Sequence, residues 1–224
     1  MTLAQALLQL EAAGSAQTRK TYARHGGVPP MFGVSYAVLG KLTRQIKRDH
    51  TLALGLWASG VHDARVLATF IADPQQTDAA LLDAWADCAN RALAGGIAKF
   101  AASTSLAEAT AAKWCADPRE FVAVTGWDVV AELALNSALP DAKFTTWLKA
   151  IARDLPDAPN HVRHAMNGAL IAIGVRNPKL EKLAVDIAQR LGKVEVDHGH
   201  TECKTPDAVA YIAKMKARRA KRGK

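Results

Sequence analysis

The sequence predicts an all-α protein built from helical hairpins that stack on one another. Alanine and leucine are abundant while β-branched runs are sparse, a composition that favours helix. No stretch alternates apolar and polar residues long enough to indicate a strand. Apolar residues instead recur at helical spacing, and glycine, proline and capping residues separate the resulting segments.

The clearest hairpin lies between Leu52 and Pro74. Its two short helices share one apolar stripe, made of Leu52, Leu56, Trp57, Val66, Leu67 and Phe70. Gly60 can adopt the left-handed backbone that ends the first helix, and Asp63 suits the positive end of the second helix dipole. Such a hairpin cannot cover its own apolar face, so it must stack on others, as in a helical solenoid.

Three helices are expected before this hairpin, over residues 2–13, 16–24 and 36–48. Ser15 and Ser35 are candidate caps, and the glycine- and proline-rich residues 26–30 form a break. The third helix carries one basic side, consisting of Lys41, Arg44, Lys47 and Arg48. We interpret that side as a solvated face, the usual role of such charges.

The chain after the hairpin predicts helices over 78–93, 97–102, 106–115, 119–136, 142–153, 162–173 and 179–191, and from 207 onward. Gly95-Gly96 is expected to break the first of them, and Asn160 to cap the sixth. The hairpins recur about every forty residues, which is typical of HEAT-like repeats. The predicted fold class is therefore an all-α superhelix of HEAT-like helical repeats, with residues 1–213 as one domain and 214–224 as a basic C-terminal tail.

The positive charge of the chain is concentrated at its C-terminus. The net charge is +8, and the tail contributes seven basic residues and no acid, so one net charge is left for the rest of the chain. Such a tail attracts phosphate without reading sequence, or it is simply a solvated end. Both interpretations remain open from the sequence.

Cysteine usage and hydropathy indicate the cellular compartment. Cys88, Cys115 and Cys203 lack CxxC spacing, so a disulfide framework is not expected and a reducing cytoplasm fits. There is no apolar run of membrane-spanning length, and the N-terminus lacks the features of a secretion signal. We therefore expect a cytoplasmic protein with no membrane partner. No Walker loop, dinucleotide fingerprint or nucleophile elbow is present.

Four segments together resemble the AlkD-type DNA alkylation repair family in order and spacing. They are MFGVSYAVL (31–39), LALGLWASGVHDARVLATFIADP (52–74), LLDAWADCANRAL (81–93) and HVRHAMNGALIAIGVRNP (161–178). The resemblance implies a superhelix of HEAT-like repeats with a concave, basic face for duplex DNA. Active members of that family are glycosylases that release purines alkylated at N3 or N7. An aspartate and tryptophan rings would stabilise the positive charge that develops on the deoxyribose.

Carried over residue by residue, the resemblance keeps few of the catalytic groups. Trp85 retains the first aromatic ring, but Ala89 occupies the catalytic aspartate position. Asp87 lies two residues away and points about 200° around the helix. A shift of one turn in the alignment would make Asp87 or Asp83 the acid, so Asp87 and Trp85 are the candidate catalytic residues.

The family's DNA-binding and second aromatic positions are also changed. Its first arginine has no counterpart in residues 123–126, and Gly168 and Ile171 replace its second tryptophan and second arginine. The resemblance therefore supports the fold more strongly than the glycosylase chemistry.

Polar residues near the start of one C-terminal helix are the candidate DNA contacts. Asn160, Arg163, His164 and Asn167 share one helical face. That stripe is either a DNA-contact face or a polar network between repeats, and we favour the contact face. Further phosphate contacts are predicted for Arg176, Lys179, Arg218 and Arg219.

The segment from Asp197 to Cys203 concentrates groups that could bind zinc. It has no spaced second ligand pair, so a hydrogen-bonded loop is the preferred interpretation, and neither a metal nor another cofactor is predicted.

The leading hypothesis is a DNA-binding member of the alkylation repair family with weak or no glycosylase activity. Its predicted partner is double-stranded DNA, with damaged or branched DNA among the candidates, and a monomer is expected. One alternative is an active N3/N7-alkylpurine DNA glycosylase that uses Asp87 or Asp83. Another is a protein-interaction scaffold, because solenoids bind partners on their concave faces.

Overall fold

The computed structural model describes residues 1–222, with the side chains of residues 219–222 outside the description. Within this part the chain forms α-helices and no strand, which confirms the predicted all-α class. Residues Met1–Leu106 form one compact unit, and the described residues from Ala107 onward form a second. The first contains α1 (Leu3–Ala12), α2 (Ala16–Arg24), α3 (Tyr36–Ile46), α4 (His50–Ala58), α5 (His62–Ile71), α6 (Ala79–Ala86) and α7 (Ala94–Ala102). The second contains α8 (Ala107–Cys115), α9 (Glu120–Asn136), α10 (Asp141–Asp154), α11 (Asn160–Gly174), α12 (Pro178–Leu191) and α13 (Ala208–Arg222).

Side-chain caps begin many of these helices, as the sequence predicts. The Ser15 hydroxyl accepts a hydrogen bond from the Thr18 amide, and Ser35 caps α3 in the same way. Asp207 accepts one from the amide of Ala210 at the start of α13. Each cap satisfies an amide that has no partner inside its helix.

The predicted hairpin is α4 followed by α5, and it lies at the centre of the first unit. Gly60 ends α4 with φ of +73°, the left-handed conformation expected there. Leu56 and Leu67 are fully buried. Helix α1 packs on α4, while α5 lies between α3 and α7. The hairpin is therefore covered by its neighbours on both sides, as a repeat fold requires.

Two predictions about residues 78–96 are wrong. The helix that begins after Asp78 ends at Ala86, because the Asn90 carboxamide accepts hydrogen bonds from the amides of Ala92 and Leu93 and starts a turn. Gly95 and Gly96 do not break a helix but belong to α7. A Cβ atom on Gly96 would lie 3.1 Å from Thr69 Oγ1, so glycine permits α7 to approach α5 closely.

The predicted cap at Asn160 is also wrong. Pro159 occupies the cap position and Asn160 is the first residue of α11. Its carboxamide is engaged elsewhere: it donates to the carbonyl of Asp197 and accepts from the amide of the same residue.

Helices α9 and α11 run parallel in the second unit and pack against each other along their length. The Phe121 ring contacts the His161 ring at their N-terminal ends, and Arg176 bonds the carbonyl of Ala134 at their C-terminal ends. Equivalent positions are thus about forty residues apart, which agrees with the repeat spacing in the sequence. In the part of the chain that the structure describes, no helix is long and apolar enough to cross a bilayer.

Candidate nucleic-acid interface

A groove on the first unit collects three basic side chains. It is lined by α3, by the end of α5 and by α7, and its volume is about 470 Å³. Arg44 projects from α3, Arg48 follows two residues after its end, and Lys99 projects from α7; all three are exposed. Among the described residues its lining contains no acid. We call this feature, defined by Arg44, Arg48 and Lys99, the basic groove.

Helical spacing explains part of the α3 side of the basic groove, because Gly40 and Arg44 are four residues apart and share one face. The predicted helix over 36–48 ends earlier, at Ile46, where Lys47 has φ of +65°, so Arg48 lies beyond the helix. The Arg48 guanidinium lies 3.5 Å from Asp73 on the rim. Hydrogen bonds from the Gln76 side chain and the Gln75 amide lower the pKa of the Asp73 carboxyl, which therefore remains ionised. An exposed pair of this kind contributes little stability and leaves the cation accessible.

The buried carboxylate of Asp63 positions the chain that enters α3. It accepts hydrogen bonds from the backbone amides of Phe32, Gly33 and Val34, at 2.6, 3.2 and 2.6 Å. Gly33 has φ of +80°, and a Cβ atom there would lie 2.4 Å from the carbonyl oxygen of Ser15, so only glycine fits. The role of Asp63 thus extends beyond the predicted helix-dipole effect, since it fixes the start of the helix that carries Arg44.

The two candidate catalytic residues differ in their exposure. Trp85 is 1% exposed and stacks on Trp57, with ring centroids 4.2 Å apart and planes 7° apart. Phe100 packs on the same ring. Asp87 instead lies on the surface, at the C-terminal cap of α6. Trp85 therefore occupies the core of the first unit, and a catalytic role for the pair stays a prediction.

The polar stripe of α11 holds a C-terminal segment, residues 193–206, against the helix. Asn160 bonds both backbone groups of Asp197, and Asn167, which is 2% exposed, donates to the carbonyl of Pro206. His164 Nδ1 lies 3.2 Å from the Thr205 hydroxyl. The structure thus forms a polar network here, in which α11 contacts this segment. DNA contact by the stripe stays a prediction.

The remaining predicted DNA contacts differ in their surroundings. Arg163 is half-buried, and its Nε atom is enclosed without a hydrogen-bond partner. The Arg176 guanidinium donates to the carbonyls of Ala134, Ser137 and Leu139 and so caps the end of α9.

Lys179 is exposed on α12 and Arg218 is exposed on α13, whereas the side chain of Arg219 lies outside the described residues. Helix α13 continues into the predicted tail, and Lys216 Nζ lies 2.9 Å from Glu181 on α12.

The loop from Asp197 to Cys203 is hydrogen-bonded within itself and to α11. His198 Nε2 lies 2.9 Å from the Thr205 hydroxyl, and the Thr201 hydroxyl donates to the carbonyl of His198. Across the residues that the structure describes, no three histidine, cysteine or acidic side chains converge as metal ligands would.

An unusual acid on α9 was not among the predicted site residues. The pKa of the Asp128 carboxyl is raised to about 7, first by burial and then by the nearby charge of Glu132. Burial and the charge of Asp128 raise the pKa of the Cys115 thiol, so that cysteine is not a reactive thiolate. No sequence motif marks Asp128; an acid between Trp127 and Val129 in a largely apolar helix was the available signal.

A second cavity, in the second unit, is acidic. Its volume is about 520 Å³, and its apolar floor includes Trp127 and Met166. Four carboxylates line it, those of Asp117, Glu120, Asp154 and Asp157, against one cation, Arg153, which is paired with Asp154. A hydrogen bond from Arg119 is the main cause that lowers the pKa of Asp117 to about 2. This cavity would repel a phosphate backbone, which makes the basic groove the stronger nucleic-acid candidate.

These features define a helical-repeat protein with an exposed basic groove, and comparison with known proteins gives its family. Residues 6–212 match the model of the DNA alkylation repair enzyme family, so the chain belongs to that family. This confirms the resemblance seen in the sequence.

Two relatives match nearly the full chain. They are the proteins Lin0241 of Listeria innocua and Lmo0209 of Listeria monocytogenes, each 28% identical over 217 residues, with 94% of this chain and 95% of theirs covered. A solved structure, from a family described as related to the HEAT-like repeat DNA glycosylases with affinity for branched DNA structures, has a TM-score of 0.89. It is 28% identical and covers 97% of this chain and 95% of its own. The HEAT-like fold is thereby confirmed.

Proposed function

We propose that this chain binds the sugar-phosphate backbone of DNA in the basic groove and has little or no base-releasing activity. The observation that carries the proposal is the convergence of Arg44, Arg48 and Lys99 on one groove. Membership in the DNA alkylation repair family supports DNA as the ligand. The affinity of the structurally similar family for branched DNA supports branched molecules as one preferred form.

The chemistry of the groove suits a phosphate backbone. Arginine presents two parallel N–H donors to a phosphate, and lysine provides a compact charge. The hydroxyls of Thr43 and Ser103 also line the groove and can donate to phosphate oxygens. Three phosphate contacts predict that the logarithm of affinity falls with the logarithm of salt concentration with a slope of about −2.7 from this groove alone.

The proposal of weak or absent catalysis rests on the missing groups. Ala89 and Gly168 provide neither a carboxylate nor a ring at the two positions where the family resemblance requires them. Trp85 presents almost no surface to a ligand. A duplex bound in the basic groove would therefore be held without the cation-stabilising groups that base release needs.

The test compares two charge-matched triple variants across a salt series. We expect R44Q/R48Q/K99Q to bind duplex and four-way-junction DNA at least tenfold more weakly than the unchanged protein, with a salt slope smaller by about 3. The control K149Q/K182Q/R190Q removes three exposed charges from α10 and α12 and should retain binding to within about twofold. Equal losses in both variants would refute the groove as the binding site.

Base release from a duplex that carries 7-methylguanine separates the proposal from its enzymatic alternative. We expect no release above the spontaneous rate. Release that is abolished by D87N or D83N, with those variants still folded, would establish the glycosylase instead. Absence of both binding and release would favour the protein-interaction scaffold.

A further inference from the structure

An exposed aromatic ring lies at one end of the basic groove. Tyr36, at the start of α3, is 55% exposed. Its ring centroid is 6.3 Å from that of Phe70, which lines the groove, and 6.2 Å from that of Tyr22, which meets it edge-on at 81°. Two buried or half-buried rings thus fix the orientation of Tyr36 and leave more than half of its surface open to solvent.

Tyr36 shares one face of α3 with the groove cation Arg44. Tyr36, Gly40 and Arg44 follow one another at four-residue intervals within the helix. Gly40 has no side chain, and a Cβ atom there would approach only Arg44 Nη1, at 3.8 Å. The helical rise places Tyr36 about 12 Å from Arg44 along the axis, with the gap at Gly40 between them. This face of α3 therefore offers a ring, an open space and a cation in sequence, and Arg48 lines the groove from just beyond the end of the helix.

Proteins that bind single-stranded nucleic acid combine these same two elements. A positive groove follows the backbone, and an adjacent aromatic ring stacks on a base without reading its identity. A base inside a duplex is already stacked on both faces, whereas an unpaired base has a face available. The Tyr36 hydroxyl stays neutral, because burial and the charge of Asp63 raise its pKa, so the ring adds no repulsion toward phosphate.

We propose that Tyr36 is a stacking platform for an unpaired nucleotide, and that it directs the basic groove toward DNA in which unpaired bases adjoin duplex. This inference rests on the proposed DNA-binding function and specifies its substrate class. Branch points, flaps and gaps all contain such nucleotides. Arg44 and Arg48 would hold the phosphates that follow the stacked base, and Phe70 would support the tyrosine ring from behind.

The experiment measures binding of Y36S to two DNAs of equal length and charge, one fully paired and one with a central three-nucleotide gap. We expect a loss of about five- to 150-fold for gapped DNA, the range for one base stack, and a change of less than twofold for the paired duplex. With 2-aminopurine in the gap, the unchanged protein should quench its fluorescence and Y36S should not.

Two further variants keep the result interpretable. Y36W retains a stacking ring and should preserve both gap preference and quenching, even if Y36S is less stable through loss of the Tyr22 and Phe70 contacts. Y211S removes an exposed tyrosine from α13, which is 37% exposed, and should change nothing. Equal losses on both DNAs, or quenching that survives in Y36S, would overturn the platform. Loss of all binding in R44Q/R48Q/K99Q together with no effect of Y36S would refute the platform while leaving the proposed function intact.

Discussion

Two faces of this protein carry polar side chains but use them differently. On the first unit, the α3–α5–α7 face directs Arg44, Arg48 and Lys99 into an open groove. On the second unit, the side chains of α11 are engaged within the fold: Arg176 caps α9, while Asn160 and Asn167 hold the segment 193–206. A basic or polar residue thus indicates a ligand contact only when its donors are not already satisfied internally.

The largest expected contrast is between Arg176 and Arg44. R176A should lower the free energy of unfolding by about 3 kcal/mol, because three carbonyls lose a charged donor and the contact with the Phe144 ring disappears. Its DNA affinity should change less than twofold. R44A should leave the free energy of unfolding unchanged and weaken DNA binding several-fold. Urea denaturation and fluorescence anisotropy measure the two quantities, and an R176A variant that is stable but defective in binding would break the comparison.

A smaller effect is expected at Asp128, and it depends on pH. The carboxyl has a pKa near 7 in the folded chain and an ordinary value near 3.8 when exposed, so the folded state binds the proton more tightly. The stability that the raised pKa contributes is therefore fully present below pH 4, where the carboxyl is protonated in both states. It is lost as the pH rises through 7 and the buried carboxyl ionises. D128N should therefore be more stable than the unchanged protein at pH 8 by about 2 kcal/mol, a value reduced because the side chain is partly exposed, and show no such gain at pH 4.

Thermal unfolding over pH 4 to 8 checks this prediction. D186N, which removes an exposed acid of α12, is the matched control and should follow the unchanged protein at every pH. A D128N profile parallel to that of the unchanged protein would show that Asp128 is not the titrating group.

The smallest expected effect concerns the C-terminal segment. N160A removes two hydrogen bonds to Asp197, at 2.7 and 2.8 Å, and should cost about 1 kcal/mol, since both groups are near solvent. Hydrogen exchange should accelerate in residues 193–206 and remain unchanged in α9. If DNA affinity falls while exchange does not change, the α11 stripe is a contact face after all, and the contrast between the two units disappears.

The fold could be predicted from the sequence because its signals are local. Apolar spacing, the caps at Ser15 and Ser35 and the left-handed Gly60 each act within a few residues. The errors occur where a tertiary contact decides the outcome. Gly96 was expected to break a helix by its intrinsic propensity, yet its close approach to Thr69 keeps it inside α7.

The candidate site was harder to predict because its parts are distant in sequence. Arg44 and Lys99 meet only when α3 and α7 pack on opposite sides of α5, and α3 by itself is indistinguishable from a solvated basic helix. The partners of the α11 stripe were hidden for the same reason. A polar face at helical spacing fits DNA or another part of the chain equally well, and its partners Asp197 and Pro206 lie 37 and 39 residues away.

A single side chain, that of Asp63, holds the backbone of the loop at residues 32–34 in place. Its carboxylate accepts hydrogen bonds from the backbone amides of residues 32–34, so substitutions at positions 32 and 34 leave all three hydrogen bonds possible. The loop can therefore diverge in sequence among relatives while keeping its course, provided the acid and the left-handed Gly33 persist. Pairwise identity across this loop would then underestimate how closely two members agree in the placement of α3.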